Sequence, residues 1–167
     1  MIQAIGSTVI GGVLLALIFF LAKEFVFPFP NLSGLWNFVE HTAKTSYRPY
    51  ENMKMTYHAL LGQEGPVVYG SGEKVYSASD NKNEEYTGAA RVRIEIRGYL
   101  TKRYFRPSIL EIYYLEKGKL RESSTIHNLR IRSKKELRGA FTSTIADSTG
   151  TVVWARGPRE SKAGPDS

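Results

Sequence analysis

Three arginines alternate along one short stretch of this sequence, Arg91, Arg93 and Arg97. A guanidinium presents a planar fork of donors that matches a phosphate. Tyr76, Tyr99 and Tyr113 offer rings on which a nucleobase can stack, an interaction of about 1–3 kcal/mol per base. Ser124, Thr125 and Asn128 add hydroxyl and amide groups within one polar run. Arginine for phosphate, tyrosine for base and small polar groups for orientation make the minimal chemistry of a nucleotide pocket. The arginines also have a plainer reading. Val92, Ile94 and Ile96 occupy the alternate positions, so a period of two turns Arg91, Arg93 and Arg97 toward the opposite face, in water or at a rim or subunit interface. A second basic cluster, Arg130, Arg132, Lys134, Lys135 and Arg138, reads as a solvated face or as attraction to an anionic leaflet, worth about 1 kcal/mol per basic residue near the surface.

Other chemistry finds less support. The sequence has no cysteine, which excludes disulfides and thiolate metal sites. His41, His58 and His127 fall on different predicted strands, without metal-ligand spacing. Gly70-Ser71-Gly72-Glu73-Lys74 lacks the G-x-x-x-x-G-K-S/T spacing of a phosphate loop and reads as strand glycines. Asp147-Ser148-Thr149-Gly150 reads as a hairpin connection. No nucleophile–base constellation can be assigned, so the sequence predicts a non-catalytic protein without metal or cofactor.

The elements that would position these groups are strands. Met53, Met55, Tyr57, Ala59 and Leu61 share one face, and residues 91–100 alternate strictly. Further runs at 34–39, 67–77, 109–115, 119–131, 136–146 and 151–156 bring the total to about eight, with residues 80–85 as a polar loop. A sheet of this size removes its edges by closing. The expected fold is therefore all-β: a small antiparallel up-and-down β-barrel of about eight strands over residues 34–157. The run 119–131 carries Ser123, Ser124, Thr125, His127 and Asn128 and is polar on both faces. Such a strand is either an edge or the lining of a polar cavity.

Ahead of the barrel, residues 2–22 contain no Lys, Arg, Asp or Glu, and about 20 such residues cross a bilayer as a helix. Lys23 and Glu24 end the run, and Phe25, Phe27 and Phe29 suit an interfacial collar. The expectation is a single-pass anchor over residues 1–27 and a linker over 28–33. The net charge of +7 lies wholly beyond the anchor, which by the positive-inside rule puts the β-domain in the cytoplasm, with the anchor in the inner (cell) membrane. The polar segment 158–167 reads as a disordered tail.

Two family resemblances follow from these residues. Gly34-Leu35-Trp36 on the first strand, with Arg156 on the last, resembles the lipocalin-type arrangement. That resemblance implies that Trp36 packs inside near the barrel's closed end and Arg156 crosses its ring. A membrane segment followed directly by a minimal β-barrel, with Gly139-Ala140-Phe141, the turn at 147–150 and the strand 152–156 as its closing hairpin, resembles the antiphage membrane effectors of CBASS systems. The resemblance implies a receptor for a cyclic dinucleotide that forms homo-oligomers on binding and disrupts the membrane. Membrane lipids would be its other partner, and polymeric nucleic acid would not be bound. This sequence departs from that family in having one membrane segment where two are typical. The competing expectations are a tethered lipocalin-like carrier of an apolar ligand and a non-catalytic interaction module.

Overall fold

The computed structural model describes residues 2–21, 28–80, 82–118 and 122–157. The expected collar at 25–27, Lys119 to Arg121 at the start of the polar run, and the tail at 158–167 lie outside the described residues. The chain divides into two units, Met1–Pro30 and Asn31–Ser167. The first holds helix α1, Ile2–Leu21. Among the described residues no helix is long and apolar enough to cross a membrane.

The second unit is a closed antiparallel barrel. Its strands are β1 (Gly34–Lys44), β2 (Lys54–Glu64), β3 (Val67–Ser79), β4 (Lys82–Glu85), β5 (Val92–Thr101), β6 (Ile109–Lys117), β7 (Glu122–Ser133), β8 (Glu136–Ser143) and β9 (Ser148–Arg156). Each long strand pairs with its neighbours in sequence, β9 returns to β1, and the β2–β3 pairing completes a ring of eight. The short β4 folds back on the end of β3, pairing Tyr76 with Glu85 and Ser79 with Lys82. The segment expected to be a polar loop at 80–85 is therefore partly a strand. Its polarity suits a short element paired along one side only, where charge discourages further pairing.

Alternation sets what faces inward. Along β1 the burial pattern places Trp36, Phe38, Glu40 and Thr42 inside. Along β5 the inner set is Ile94, Ile96 and Leu100, as the period of two predicts. The register at β2–β3 shifts between Thr56 and Tyr57, so that Tyr57 opposes Lys74 while Thr56 opposes Tyr76. That bulge at Val75 brings the lysine beside the tyrosine. Two glycines are there for backbone reasons. Gly65 turns the β2–β3 hairpin at φ 56°, the left-handed region that glycine enters without penalty. At Gly139 a Cβ would sit 1.8 Å from the Asn128 carbonyl oxygen of the neighbouring strand, so only glycine allows β7 and β8 to approach this closely. The last hairpin turns earlier than the expected 147–150. Ala146 and Asp147 have positive φ, and Ser148 already belongs to β9.

One end of the barrel is closed and dry. Leu32 is fully buried there and accepts, through its carbonyl, a hydrogen bond from Trp36 Nε1 at 2.7 Å. The Arg156 guanidinium lies 5.2 Å from the Trp36 ring centroid and donates to the carbonyls of Asn31 and Ser33. The expected pairing of Trp36 with Arg156 is thus present at the closed end, and its role is structural. Arg156→Ala removes a cation–π contact and charged donors to two carbonyls, and we expect a loss of about 2 kcal/mol. Arg156→Lys should recover only part of that, because an ammonium lacks the fork. Urea unfolding of the three forms measures the difference.

Candidate functional site: a polar chamber inside the barrel

The opposite end of the lumen is polar. From the closed end upward, Trp36 and Phe38 give way to Glu40 and Thr42 on β1. Leu110 and Ile112 give way to Tyr114 and Glu116 on β6, and Leu129 gives way to His127, Thr125 and Ser123 on β7; all of these are buried. Strand β7 is no edge: it pairs with β6 on one side and β8 on the other. Its buried polar side chains, Ser123, Thr125 and His127, line the lumen, while Ser124 and Asn128 face out.

Aromatic stacking carries the transition from dry core to wet chamber. Phe38 is sandwiched between Tyr57, at 4.5 Å and 8° between planes, and Trp154, at 4.2 Å and 15°. His127 meets Phe38, Tyr114 and Trp154 edge-on. Such contacts add about 0.5–1.5 kcal/mol each beyond area burial, and they hold the polar groups above them in fixed positions.

Two hydrogen-bonded clusters stand on this platform. In the first, Tyr114 donates its hydroxyl to Glu40 Oε1 at 2.6 Å, and His127 Nε2 lies 2.7 Å from the same oxygen. Trp154 Nε1 donates to His127 Nδ1 at 3.1 Å. An indole N–H can only donate, so His127 Nδ1 accepts and the ring proton sits on Nε2, pointing at Glu40. Both donors thus converge on one carboxylate oxygen. In the second cluster, Lys74 Nζ is 2.6 Å from Glu116 Oε1, and Tyr57 donates to Glu116 Oε2 at 3.0 Å. Above them Thr125 donates to Ser143 Oγ at 2.8 Å.

These groups enclose a chamber of about 170 Å³, lined by Glu40, Thr42, Tyr57, Lys74, Tyr114 and Thr125 among others. Two of its lining residues carry buried oxygens without a hydrogen-bond partner, Glu40 Oε2 and Thr42 Oγ1. Buried polar atoms in native proteins are nearly always paired, and an orphan points to strain or to a partner still to come. A wider depression of about 420 Å³ adjoins the chamber, sharing Tyr50, Met53 and Glu84 with it and adding Arg48, Asp80 and Lys82. Lys82 forms an ion pair with Glu84 there.

Burial pushes the phenols of Tyr57 and Tyr114 well above the usual tyrosine range; the Tyr114 hydroxyl, Glu40 and Glu116 push Tyr57 the same way, while Glu40 raises Tyr114 against smaller opposing hydrogen bonds from Thr125 and Tyr57. A folded-state value above the unfolded one favours the protonated form. This contribution to stability is therefore complete below about pH 10, the unfolded tyrosine value, and is lost as pH rises through the folded values. The expected result is that these two of the ten tyrosines ionise only as the barrel unfolds. Spectrophotometric titration run beside circular dichroism checks the coincidence.

No family model matches this chain, and no curated protein matches it. Among solved structures, that of a redesigned β-barrel matches with a TM-score of 0.48 and 13% identity, over 76% of this chain and 92% of that one.

The residues singled out from the sequence distribute unevenly. Arg93, Arg97 and Tyr99 are exposed on the outer face of β5, and Arg91 is exposed just ahead of it. Tyr113 is 46% exposed and shares a 2.8 Å hydrogen bond with Ser124 outside the barrel. Asn128 is exposed, and Tyr76 is half-buried beside β4. Thr125 alone of the nine lines the chamber. Arg91 and Arg93 come together in a shallow outer groove with Glu73, and Arg91 pairs with Glu73 at 3.0 Å. Among the described residues no group of three or more His, Asp and Glu side chains is placed to hold a metal ion. Of the chamber residues, Glu40, Thr42 and Glu116 are not among the candidates the sequence offers, and Lys74 enters only with the glycines at 70–72. A signal existed for Glu40, Thr42 and Glu116: each is a polar residue in phase with an apolar face.

Proposed function

We propose that this chain is a membrane-tethered, non-catalytic receptor whose β-barrel binds a small messenger, a cyclic dinucleotide, at the polar end of its lumen. In this reading, binding drives homo-oligomerisation, and the clustered helices then disrupt the inner membrane that anchors them. The observation that carries the binding half is the chamber itself: a buried polar floor with two unpartnered oxygens and the Tyr86 ring in its wall, opening into a wider mouth where Arg48 and Lys82 stand with Tyr50, Glu51, Asp80 and Glu84. The chamber at about 170 Å³ is below the 300–1,000 Å³ of a drug-sized site, whereas chamber and mouth together fall within that range. The ligand in this reading enters by one part only and spreads over the mouth.

The tether rests on the charge-free composition of α1. Its residues 11–21 alone are shorter than the about 20 a span requires, but the uncharged sequence runs back to Ile2. Val13, Leu14, Leu17, Ile18, Phe19 and Phe20 are all exposed. A helix apolar on every side needs a lipid or protein cover. A carrier of apolar ligands is the weaker reading, because the apolar part of the lumen is filled by its own aromatic side chains and the open part is interrupted by Glu40, Thr42 and Lys74.

The test is the melting temperature of the full chain in detergent against cyclic di- and trinucleotides, with fatty acids as the contrast. A ligand that binds only the folded state at a hundredfold excess over its dissociation constant adds about 2.7 kcal/mol. A shift with one cyclic nucleotide and none with fatty acids supports the receptor. A shift with fatty acids alone sinks it.

A further inference from the structure

We propose that the chamber floor is a recognition point for a planar N–H donor group, an amidine-like edge bearing an amine, and that Glu40 is the residue that reads it. The inference deepens the receptor reading and rests on it only in that the ligand arrives through the same mouth.

The hydrogen-bond directions carry the argument. Tyr114 and His127 both spend their protons on Glu40 Oε1. The direction of the His127 bond is fixed by Trp154, which can only donate to Nδ1. Glu40 Oε2 is left bare although the residue is 1% exposed, and Thr42 Oγ1, two residues along on the same face of β1, is bare too. A carboxylate oxygen accepts and does not donate when ionised. What fits beside it is a donor.

The charge balance points the same way. Glu40 and Glu84 line the chamber with Lys74, the one cation among its described lining residues, and the Lys74 ammonium is held by Glu116 at 2.6 Å. A phosphate placed on this floor would meet a carboxylate without a free cation; an N–H group would satisfy one. The flat faces of Tyr57 and Tyr86, each already within 5.9 Å of the Lys74 ammonium, favour electropositive groups. In the mouth Lys82 is paired with Glu84, which leaves Arg48, beside Glu51 and Asp80, as the cation for a phosphate among the described residues. A ligand carrying both a base and a phosphate is therefore oriented base-inward, with the base edge at Glu40 and the phosphates over the mouth. A site built to hydrogen-bond a donor rejects the analogue lacking it, because its own buried acceptor then stays unpaired.

Two arms test this on the full chain in detergent. The first needs no nucleotide: benzamidine and benzoate are titrated as planar probes of opposite character, with the melting temperature as readout. Benzamidine should raise it and benzoate should not, and the benzamidine shift should vanish in Glu40→Gln and shrink in Thr42→Val, both of which are first checked for a cooperative melt. Thr42→Val removes only a hydroxyl, so the prediction survives a misfolded Glu40→Gln. The second arm compares cyclic di-GMP and cyclic di-AMP with analogues in which the exocyclic amine is replaced by hydrogen. Loss of the amine should weaken binding at least tenfold in the wild type and make no difference in Glu40→Gln. Equal shifts by benzamidine and benzoate, or benzamidine shifts that survive both substitutions, would overturn the inference even where a cyclic dinucleotide binds. Should the benzamidine arm hold while no cyclic dinucleotide binds, the donor site stands and the cyclic-dinucleotide receptor falls.

Discussion

Glu116→Ala should destabilise the barrel by about 3–5 kcal/mol, the loss expected when one member of a buried ion pair is removed and the other stays. The side chains of Lys74 and Glu116 are only 11% and 9% exposed and meet at 2.6 Å. Alanine would strand the ammonium beside the Tyr57 ring and also take the acceptor from the Tyr57 hydroxyl. The pair as a whole is a different matter. Replacing both members with apolar side chains of similar volume, Lys74→Met with Glu116→Leu, should recover the charge term, because the desolvation of both charges disappears together with their attraction, and leave only about 1–3 kcal/mol for the Tyr57 hydroxyl that loses its acceptor. Denaturant unfolding of the single and double variants separates the two effects. A single variant within 1 kcal/mol of wild type would show that the pair is solvated and that the chamber is more open than described.

The second large effect is expected at Trp154. The side chain is fully buried, stacks on Phe38 at 4.2 Å and meets Trp36 edge-on at 6.4 Å. Trp154→Ala opens a cavity at the junction of the dry core and the chamber, and substitutions of this kind cost about 3–5 kcal/mol. Trp154→Phe keeps most of the stacking but leaves His127 Nδ1 without its donor. Its expected cost is about 1–3 kcal/mol, the desolvation of one buried acceptor. The phenylalanine variant also frees the His127 proton to move to Nδ1, which would withdraw a donor from Glu40. Thermal unfolding orders the three proteins, and the predicted order is wild type, Trp154→Phe, Trp154→Ala.

Much of the fold was legible because it rests on alternation. The stretch 92–100 announces its inner face through Val92, Ile94, Ile96 and Leu100, and the structure buries Ile94, Ile96 and Leu100 as expected. The up-and-down closure followed from eight short strands with brief turns. The Trp36–Arg156 contact was an implication of the lipocalin-type resemblance, and the two groups do meet. The arginines and tyrosines were chosen for their chemistry, while the period of two gave the arginines a plainer, outward reading. Arginine and tyrosine are the residue types of phosphate and base recognition, but on β5 they alternate with the core and are turned outward by the same period that identifies the strand. Glu40 and Glu116 were hidden for the complementary reason. Each continues an apolar inner face, Trp36-Phe38-Glu40 and Leu110-Ile112-Tyr114-Glu116, where a carboxylate is costly to bury without a partner. A charge in phase with a core face was the strongest sequence signal for this site. The partners Tyr114, His127 and Lys74 lie 74, 87 and 42 residues from the groups they bind, and no local pattern joins them. The strand at 82–85 was missed because polar, charged residues resemble a loop, and only its pairing with β3 reveals it.

The central claim is that ligand binds inside the barrel and not on the outer arginine face. The measurement that tests it most directly is the affinity of the best ligand from the melting screen for two variants of the full chain. Ser143→Leu fills the chamber with an apolar side chain, and the triple change Arg91→Ala, Arg93→Ala, Arg97→Ala strips the outer face while leaving the lumen untouched. The account predicts that Ser143→Leu loses binding by tenfold or more and that the triple variant binds as the wild type does. Loss of binding in the triple variant with retention in Ser143→Leu would contradict it and move the site to the outside of β5.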